Sequence, residues 1–267
     1  MRWVIRHSAP PGRRGAHWGD GHFASSLALA LKSLGHEAEC EARGQWGSTG
    51  GADVCLVLRG LFPNDPGKFR LKILWIISHP KEVSKGELEG FDLVFCASHR
   101  HKSILDNLLH RKVEVLLQAS ETTIFKPCKN RLRGGGFVFV GNTRGQLRPA
   151  VLQAKRCLLP LRVWGRGWRL ILEGGEVVAS EVPYPELARI YGGAKVVLND
   201  HWPDMKRLGY VSNRVFDALA CGTPVISDYM PELKRMFPSA VLTFRNAREF
   251  ETCIERVWFE YPNLLEA

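Results

Sequence analysis

A chain of 267 residues is long enough for one large domain or for two of about 130 residues each. Its composition, 45% hydrophobic and 24% charged, is that of a globular protein, and no apolar run nears the roughly 20 residues that cross a bilayer. The formal net charge of +10, carried mainly by residues 1–133, suits an anionic partner or simply reflects a GC-rich genome that favours Arg; no helix-turn-helix, zinc-finger or aromatic-basic RNA motif accompanies it.

Trp3–His7 is the first expected strand. It takes the place of a basic-then-apolar leader, which points to the cytoplasm. A Pro-, Gly- and Arg-rich loop, Ala9–Gly21, then leads into a helix. Its apolar residues Phe23, Leu27, Ala30, Leu31 and Leu34 recur at helical spacing, and Gly35 stops it. Strands are expected at Asp53–Leu58, Lys72–Ile77 and Phe91–Ala97, followed by a short apolar run, Val113–Leu117. Their continuous apolar character, as in Ile73-Leu74-Trp75-Ile76-Ile77, suits a parallel sheet covered on both faces. His99 and His101 flank Arg100 after a strand and read as a solvated loop rather than a metal site.

The basic, Gly-rich stretch Lys126–Gly136 is the expected linker, dividing the chain into domains 1–133 and 134–267. Alternation then starts afresh. Strands are expected at Phe137–Val140, Leu161–Trp164, Lys195–Asn199 and Pro224–Ser227, with helices at Pro149–Cys157, Tyr184–Gly192 and Asn213–Ala220. Two such sets imply an α/β protein of two Rossmann-like domains facing a cleft. The seven cysteines, at 40, 55, 96, 128, 157, 221 and 253, show no CxxC spacing and mostly lie in apolar segments. They read as reduced core residues.

Ser212–Asp228 is the most informative stretch. A polar helix entry passes into a short amphipathic helix, a Cys-Gly stop, a Thr-Pro turn and a buried strand. Ser212, Asn213, Arg214 and Asp217 lie along its first turns, where backbone N–H groups favour phosphate. The run Asp217-Ala218-Leu219-Ala220-Cys221-Gly222-Thr223-Pro224-Val225-Ile226 strongly resembles the donor-sugar motif of group-1 glycosyltransferases with the two-domain GT-B fold. With Tyr191–Asp204 upstream, the chain looks most like their CgeB-like, spore-maturation-type branch. The resemblance covers the second domain well and the first weakly.

The resemblance implies a hexosyltransferase that takes its sugar from a nucleotide-diphosphate sugar, in a metal-independent, retaining reaction without a cofactor. Asp217 falls on the acid that binds the ribose hydroxyls, a role that suits a carboxylate accepting from vicinal hydroxyls. The family's second acid, which contacts the sugar, falls on Gly209. Asn199, Asp200 and His201, or Ser212 and Arg214, stand as replacements. Gly141 allows close backbone approach, and Asn142 replaces the family's Arg, leaving Arg144 or Arg148 for phosphate. Arg166, in Trp164–Trp168, reaches the nucleotide or sits in a packing turn. Tyr184 stacks on the base or caps its helix. No metal motif is evident, because Asp200-His201-Trp202-Pro203-Asp204 lacks DxD spacing.

The first domain is expected to supply catalysis. Gly19-Asp20-Gly21-His22 lies between the first strand and helix, with Gly19 offering its N–H to the donor phosphate and Asp20 or His22 as a base for inversion. His79, directly after a strand, resembles the histidine that contacts the donor sugar in retaining members. The acceptor is open: an acidic or membrane-associated molecule, reached by a cytoplasmic enzyme peripheral to the membrane, or nucleic acid as in phage-type DNA glycosyltransferases. Two rival readings also stand, a nucleotide-sugar epimerase or hydrolase on the same fold, and a noncatalytic nucleotide-sugar-binding module.

Overall fold

The computed structural model describes residues 1–110, 112–127, 136–143, 145–172 and 174–266. Most of the expected linker and Arg144 lie outside them. The chain forms two compact units, Met1–Gln118 with Trp202–Tyr210, and Ala119–His201 with Val211–Ala267.

The first unit is built on a six-stranded parallel sheet. In chain order its strands are β1 (Arg2–His7), β2 (Glu37–Glu41), β3 (Val54–Arg59), β4 (Leu71–Ile76), β5 (Leu93–Cys96) and β6 (Glu114–Val115). Their spatial order is β2-β1-β3-β4-β5-β6. The chain reverses direction across the sheet between β1 and β3, which places the strand ends His7 and Arg59 at a topological switch point. Every residue of β3 is buried, as an inner strand covered on both faces requires. Its last residue, Arg59, is fully buried. The guanidinium donates to Glu87 Oε1 at 2.6 Å and to the carbonyls of Gly60 and Glu82.

Helices α1 (Gly19–Ser33), α2 (Lys85–Glu89) and α3 (His99–Leu109) accompany this sheet. Two expectations are corrected here. Gly19-Asp20-Gly21-His22 is the first turn of α1, not a loop, with Trp18 as the N-cap. Two glycines weaken helix propensity, but the apolar stripe that follows recruits the turn into the helix. His99 and His101 begin α3 rather than a solvated loop, because Ser98 caps the helix by accepting the His101 N–H at 3.1 Å. His101 is buried, and burial pushes its imidazole down to about 4.

The first unit also contains the helix Pro203–Leu208, α6 in chain order, contributed by the returning segment Trp202–Tyr210. Met205 and Tyr210 pack into the core formed by Val4, Cys55, Leu74 and Ile76. The carbonyls at the end of α6 find donors on α3 and its cap: Ser98 Oγ donates to Leu208 O at 2.5 Å, and Arg100 Nη1 to Arg207 O at 3.0 Å. His101 Nδ1 and the Tyr210 hydroxyl lie 2.7 Å apart. Gly209 ends α6 in the left-handed conformation, φ 78°, and the Tyr210 N–H closes the cap onto Met205 O.

The second unit repeats the plan with β7 (Phe137–Val140), β8 (Leu161–Trp164), β9 (Val177–Ala179), β10 (Val196–Asn199), β11 (Val225–Asp228) and β12 (Val241–Phe244). These form a parallel sheet in the order β12-β11-β10-β7-β8-β9, so the switch point lies between β7 and β10. Its helices are α4 (Pro149–Arg156), α5 (Tyr184–Gly193), α7 (Asn213–Ala220), α8 (Pro231–Met236), α9 (Ala247–Phe259) and α10 (Tyr261–Glu266). The last expected strand ends at Ser227, so α8, β12, α9 and α10 lie beyond the expected elements, as does the short β9.

Two cores flank this sheet. One gathers Phe137, Phe139, Val163, Trp168, Leu198 and Phe250; the other gathers Phe125, Val197, Val215, Ala218, Val225 and Leu233. The alternation of Val196 and Leu198 against Val197 sends successive side chains of β10 into opposite cores. Among the described residues the six cysteines form no disulfide. Cys55, Cys96, Cys221 and Cys253 are buried as expected, whereas Cys40 is exposed and Cys157 half-buried. Cys40 lies on β2, an edge strand of its sheet. Cys128 falls outside the described residues.

Candidate active site

The polar side chains of the second unit gather at the C-terminal edge of its sheet, around the β7–β10 switch point. Ligands of open α/β sheets bind at such an edge. Helix α7 enters from Ser212, which is the N-cap residue but makes no side-chain capping bond. Arg214, in its first turn, folds back onto the sheet. Nε donates to Val140 O at 2.8 Å and Nη1 to Asn199 Oδ1 at 2.5 Å, with the guanidinium 4.7 Å from the Phe139 ring centroid. A Cβ at Gly141 would stand 2.7 Å from Arg214 Nη2, so the bare backbone at 141 leaves this guanidinium its place.

Asp217 lies one turn further along α7 and is buried. Oδ1 accepts from Ser120 Oγ at 2.6 Å, and both carboxylate oxygens accept from Asn213 Nδ2, at 3.2 and 3.1 Å. Burial pushes the carboxyl up to about 7, against the lowering effect of the bonds from Ser120 and Asn213 and of the Arg214 charge. A carboxyl held near neutrality in a polar cluster is a marker of a functional site. Ser120 carries no local signal in the sequence, since its partner is 97 residues away.

The two glycine-containing loops meet. Gly141 N–H donates to Trp164 O at 2.8 Å and Arg166 N–H to Asn142 Oδ1 at 2.8 Å, while Trp168 Nε1 donates to Gly141 O at 2.6 Å. Asn142 thus braces one loop on the other. The Arg166 side chain is exposed and pairs with Glu181. Tyr184 opens α5, its ring edge-on to Phe125 with centroids 5.5 Å apart.

Arg148 and Asp200 form a buried ion pair, and Arg148 also donates to Asn142 O at 3.1 Å. Asp200 Oδ2 accepts the Ala150 N–H at 3.5 Å. Arg148 therefore fastens the start of α4 to the end of β10. Arg214 is half-buried, whereas Arg148 is buried. Asn199 is fully buried and donates through Nδ2 to Ser227 Oγ at 2.9 Å. His201 and Asp228 lie 2.7 Å apart behind it. Ser227 and Asp228 carry no local signal of a site, because they close the buried strand β11 rather than a polar loop.

In the first unit, Asp20 and His22 are half-buried in the first turn of α1, where His22 Nε2 lies 2.9 Å from Ala16 O. The Asp20 carboxylate stands against Gly60, after β3, beside Ser8 Oγ. Gly19, the first residue of α1, is exposed. His79 is one of three described non-glycine residues with positive φ, at 49°, and its Nδ1 lies 3.0 Å from Ser78 Oγ. Left-handed backbone at a non-glycine residue stores strain of a kind that clusters at functional positions. Among the described residues no three His, Cys, Asp or Glu side chains converge on a common metal position. No described helix is long and apolar enough to cross a membrane.

The family model described as Glycosyl transferase-like matches residues 144–262, which include Arg148, Arg214 and Asp217. No curated protein matches the chain. Solved structures match over nearly its whole length. Sucrose-phosphate synthase from Thermosynechococcus elongatus is 13% identical with a TM-score of 0.66, covering 99% of this chain and 92% of that one. The Anabaena protein Alr3699/HepE, solved in complex with UDP and glucose, is 12% identical with a TM-score of 0.61 and the same coverage. The DNA-modifying enzyme β-glucosyltransferase, solved with and without its substrate uridine diphosphoglucose, is 12% identical with a TM-score of 0.61, covering 100% and 92%. The chain has the α/β fold of these GT-B glycosyltransferases, two parallel six-stranded sheets with their helices.

Proposed function

We propose that this chain is a glycosyltransferase that moves a hexosyl group from a nucleoside-diphosphate sugar to an acceptor hydroxyl, within the CgeB-like branch of the group-1 enzymes. The observation that carries the reading is Asp217, a buried carboxyl on α7 with the Arg214 guanidinium on the same helix. Ionised, Asp217 accepts from the vicinal hydroxyls of the donor ribose. Arg214 and the N-terminal N–H groups of α7 stabilise the diphosphate as its bond to the sugar breaks, a task that metal ions perform in other transferases. Transfer is metal-independent and retaining on this reading. The fold's likeness to proteins solved with UDP or uridine diphosphoglucose supports a uridine nucleotide as the donor.

The acceptor is acidic or membrane-associated on this reading, in keeping with the net charge of +10, and the enzyme works in the cytoplasm. His79 supports catalysis from the first unit. Calorimetric titration with UDP and GDP tests the donor site. Asp217→Ala is expected to lose about 1.5–3 kcal/mol of nucleotide binding, the worth of charge-assisted hydrogen bonds. Unchanged affinity in a folded Asp217→Ala protein would remove the donor-site assignment. Donor turnover separates transfer from binding alone: His79→Ala is expected to slow turnover by roughly 10²–10⁴ while nucleotide affinity is kept.

A further inference from the structure

The chain leaves the second unit after His201 and returns to it at Val211. The exit and the return are tied together. Ser212, the N-cap residue of α7, donates its backbone N–H to His201 Nε2 at 3.0 Å. Nε2 is thereby the acceptor nitrogen, so Nδ1 carries the hydrogen and donates it to Asp228 Oδ1 at 2.7 Å. The His201 side chain is wholly buried and that of Asp228 is 9% exposed. The clasp continues sideways. Ser227 Oγ donates to Asp228 Oδ1 at 3.2 Å and accepts from Asn199 Nδ2 at 2.9 Å. Asn199 Oδ1 then receives Arg214 Nη1. A single chain of hydrogen bonds therefore runs from the entry of α7 through His201, Asp228, Ser227 and Asn199 to Arg214.

We infer that His201 and Asp228 are positioning residues for the donor site, setting the Arg214 guanidinium through Ser227 and Asn199. This inference rests on the donor-site reading above. The physical argument is orientation. An arginine has many rotamers in water, and its affinity for a diphosphate depends on how much of that freedom is removed before binding. Asn199 is fully buried, so its amide keeps one orientation only while both ends are satisfied. Ser227 holds the Nδ2 end, and Asp228 holds Ser227. Asp228, in turn, is held by an imidazole whose second nitrogen is anchored on the backbone at the start of α7.

Calorimetry with UDP and GDP on the full chain tests the inference. His201→Leu is expected to weaken the nucleotide that the wild type binds by about tenfold. His201→Gln, whose amide offers both a donor and an acceptor, is expected to regain most of that loss. In an Arg214→Ala background, His201→Leu is expected to add less than about a twofold further loss, because its effect passes through Arg214. Wild-type affinity in a folded His201→Leu protein overturns the inference, and so do fully additive losses in the double variant. If His201→Leu does not fold, Ser227→Ala carries the test, since it removes only the hydroxyl between Asp228 and Asn199. About a threefold loss is expected there, and no loss overturns the inference. A wild type that binds neither nucleotide overturns the donor-site reading and this inference together, whereas binding that His201 and Ser227 do not affect overturns the inference alone.

Discussion

At Asp217 stability and binding make opposite demands. Burial raises the carboxyl from the ordinary 3.8 to about 7, so between those values the folded protein holds a proton that the unfolded chain has released. Stability from this group is therefore fully present below about pH 4 and is lost as pH rises toward and through 7. The proposed donor binding runs the other way, because ribose hydroxyls would donate to the ionised form. Asp217→Asn is expected to melt several degrees above the wild type at pH 8 and close to it at pH 4, while nucleotide affinity falls. A melting difference that did not grow with pH would show that the carboxyl is not held up. Arg148 and Asp200 present a different case. Both are buried, and Arg148 also donates to Asn142 O. Asp200→Ala strips a buried guanidinium of its counter-charge and is expected to cost about 3–5 kcal/mol in denaturant unfolding. Arg148→Ala is expected to cost a similar amount, so any loss of donor binding in it must be read against a folding control.

At the scale of elements, α6 gives a reason for the glycine at 209. The resemblance to group-1 glycosyltransferases would put a sugar-contacting acid there, yet Gly209 is the left-handed cap of α6 at φ 78°. A side chain in that conformation costs roughly 1–2 kcal/mol. Gly209→Glu is therefore expected to destabilise the first unit by about that amount and to leave donor turnover no higher. Increased turnover in Gly209→Glu would mean that the position is a vacant catalytic one rather than a helix cap. Helix α1 carries a related lesson. Asp20 and His22 lie in its first turn, so their side chains are held by the helix rather than by a mobile loop. Helix α3 shows how one cap decides an element: Ser98 turns His99-Arg100-His101 from an apparent loop into the turn that receives the end of α6.

At the scale of the whole molecule, two six-stranded parallel sheets each place a switch point at a strand edge, and the second carries the polar cluster. A nucleotide that binds only the folded chain is expected to raise its stability by about 2.7 kcal/mol at a hundredfold excess over Kd. Thermal-shift assays with UDP, GDP and their sugars check this, and a flat response to all of them would count against the proposed donor. The denatured, unreduced protein is expected to titrate seven thiols, and four or six protected ones would contradict a reduced protein. The sequence by itself determined the β/α alternation, the short helix Asn213–Ala220 and its passage into β11. Those follow from apolar periodicity and from glycine and proline stops, which are properties of neighbouring residues. It also singled out Asp217 and Arg214, because both lie within one motif. Only the tertiary structure decided that Trp202–Tyr210 packs in the first unit, that Arg148 is spent on Asp200, and that Ser120 caps Asp217. The last two pairs join residues 52 and 97 positions apart. Which partner a polar side chain finds at that range is fixed by which strands lie side by side, and local pattern carries no record of strand order.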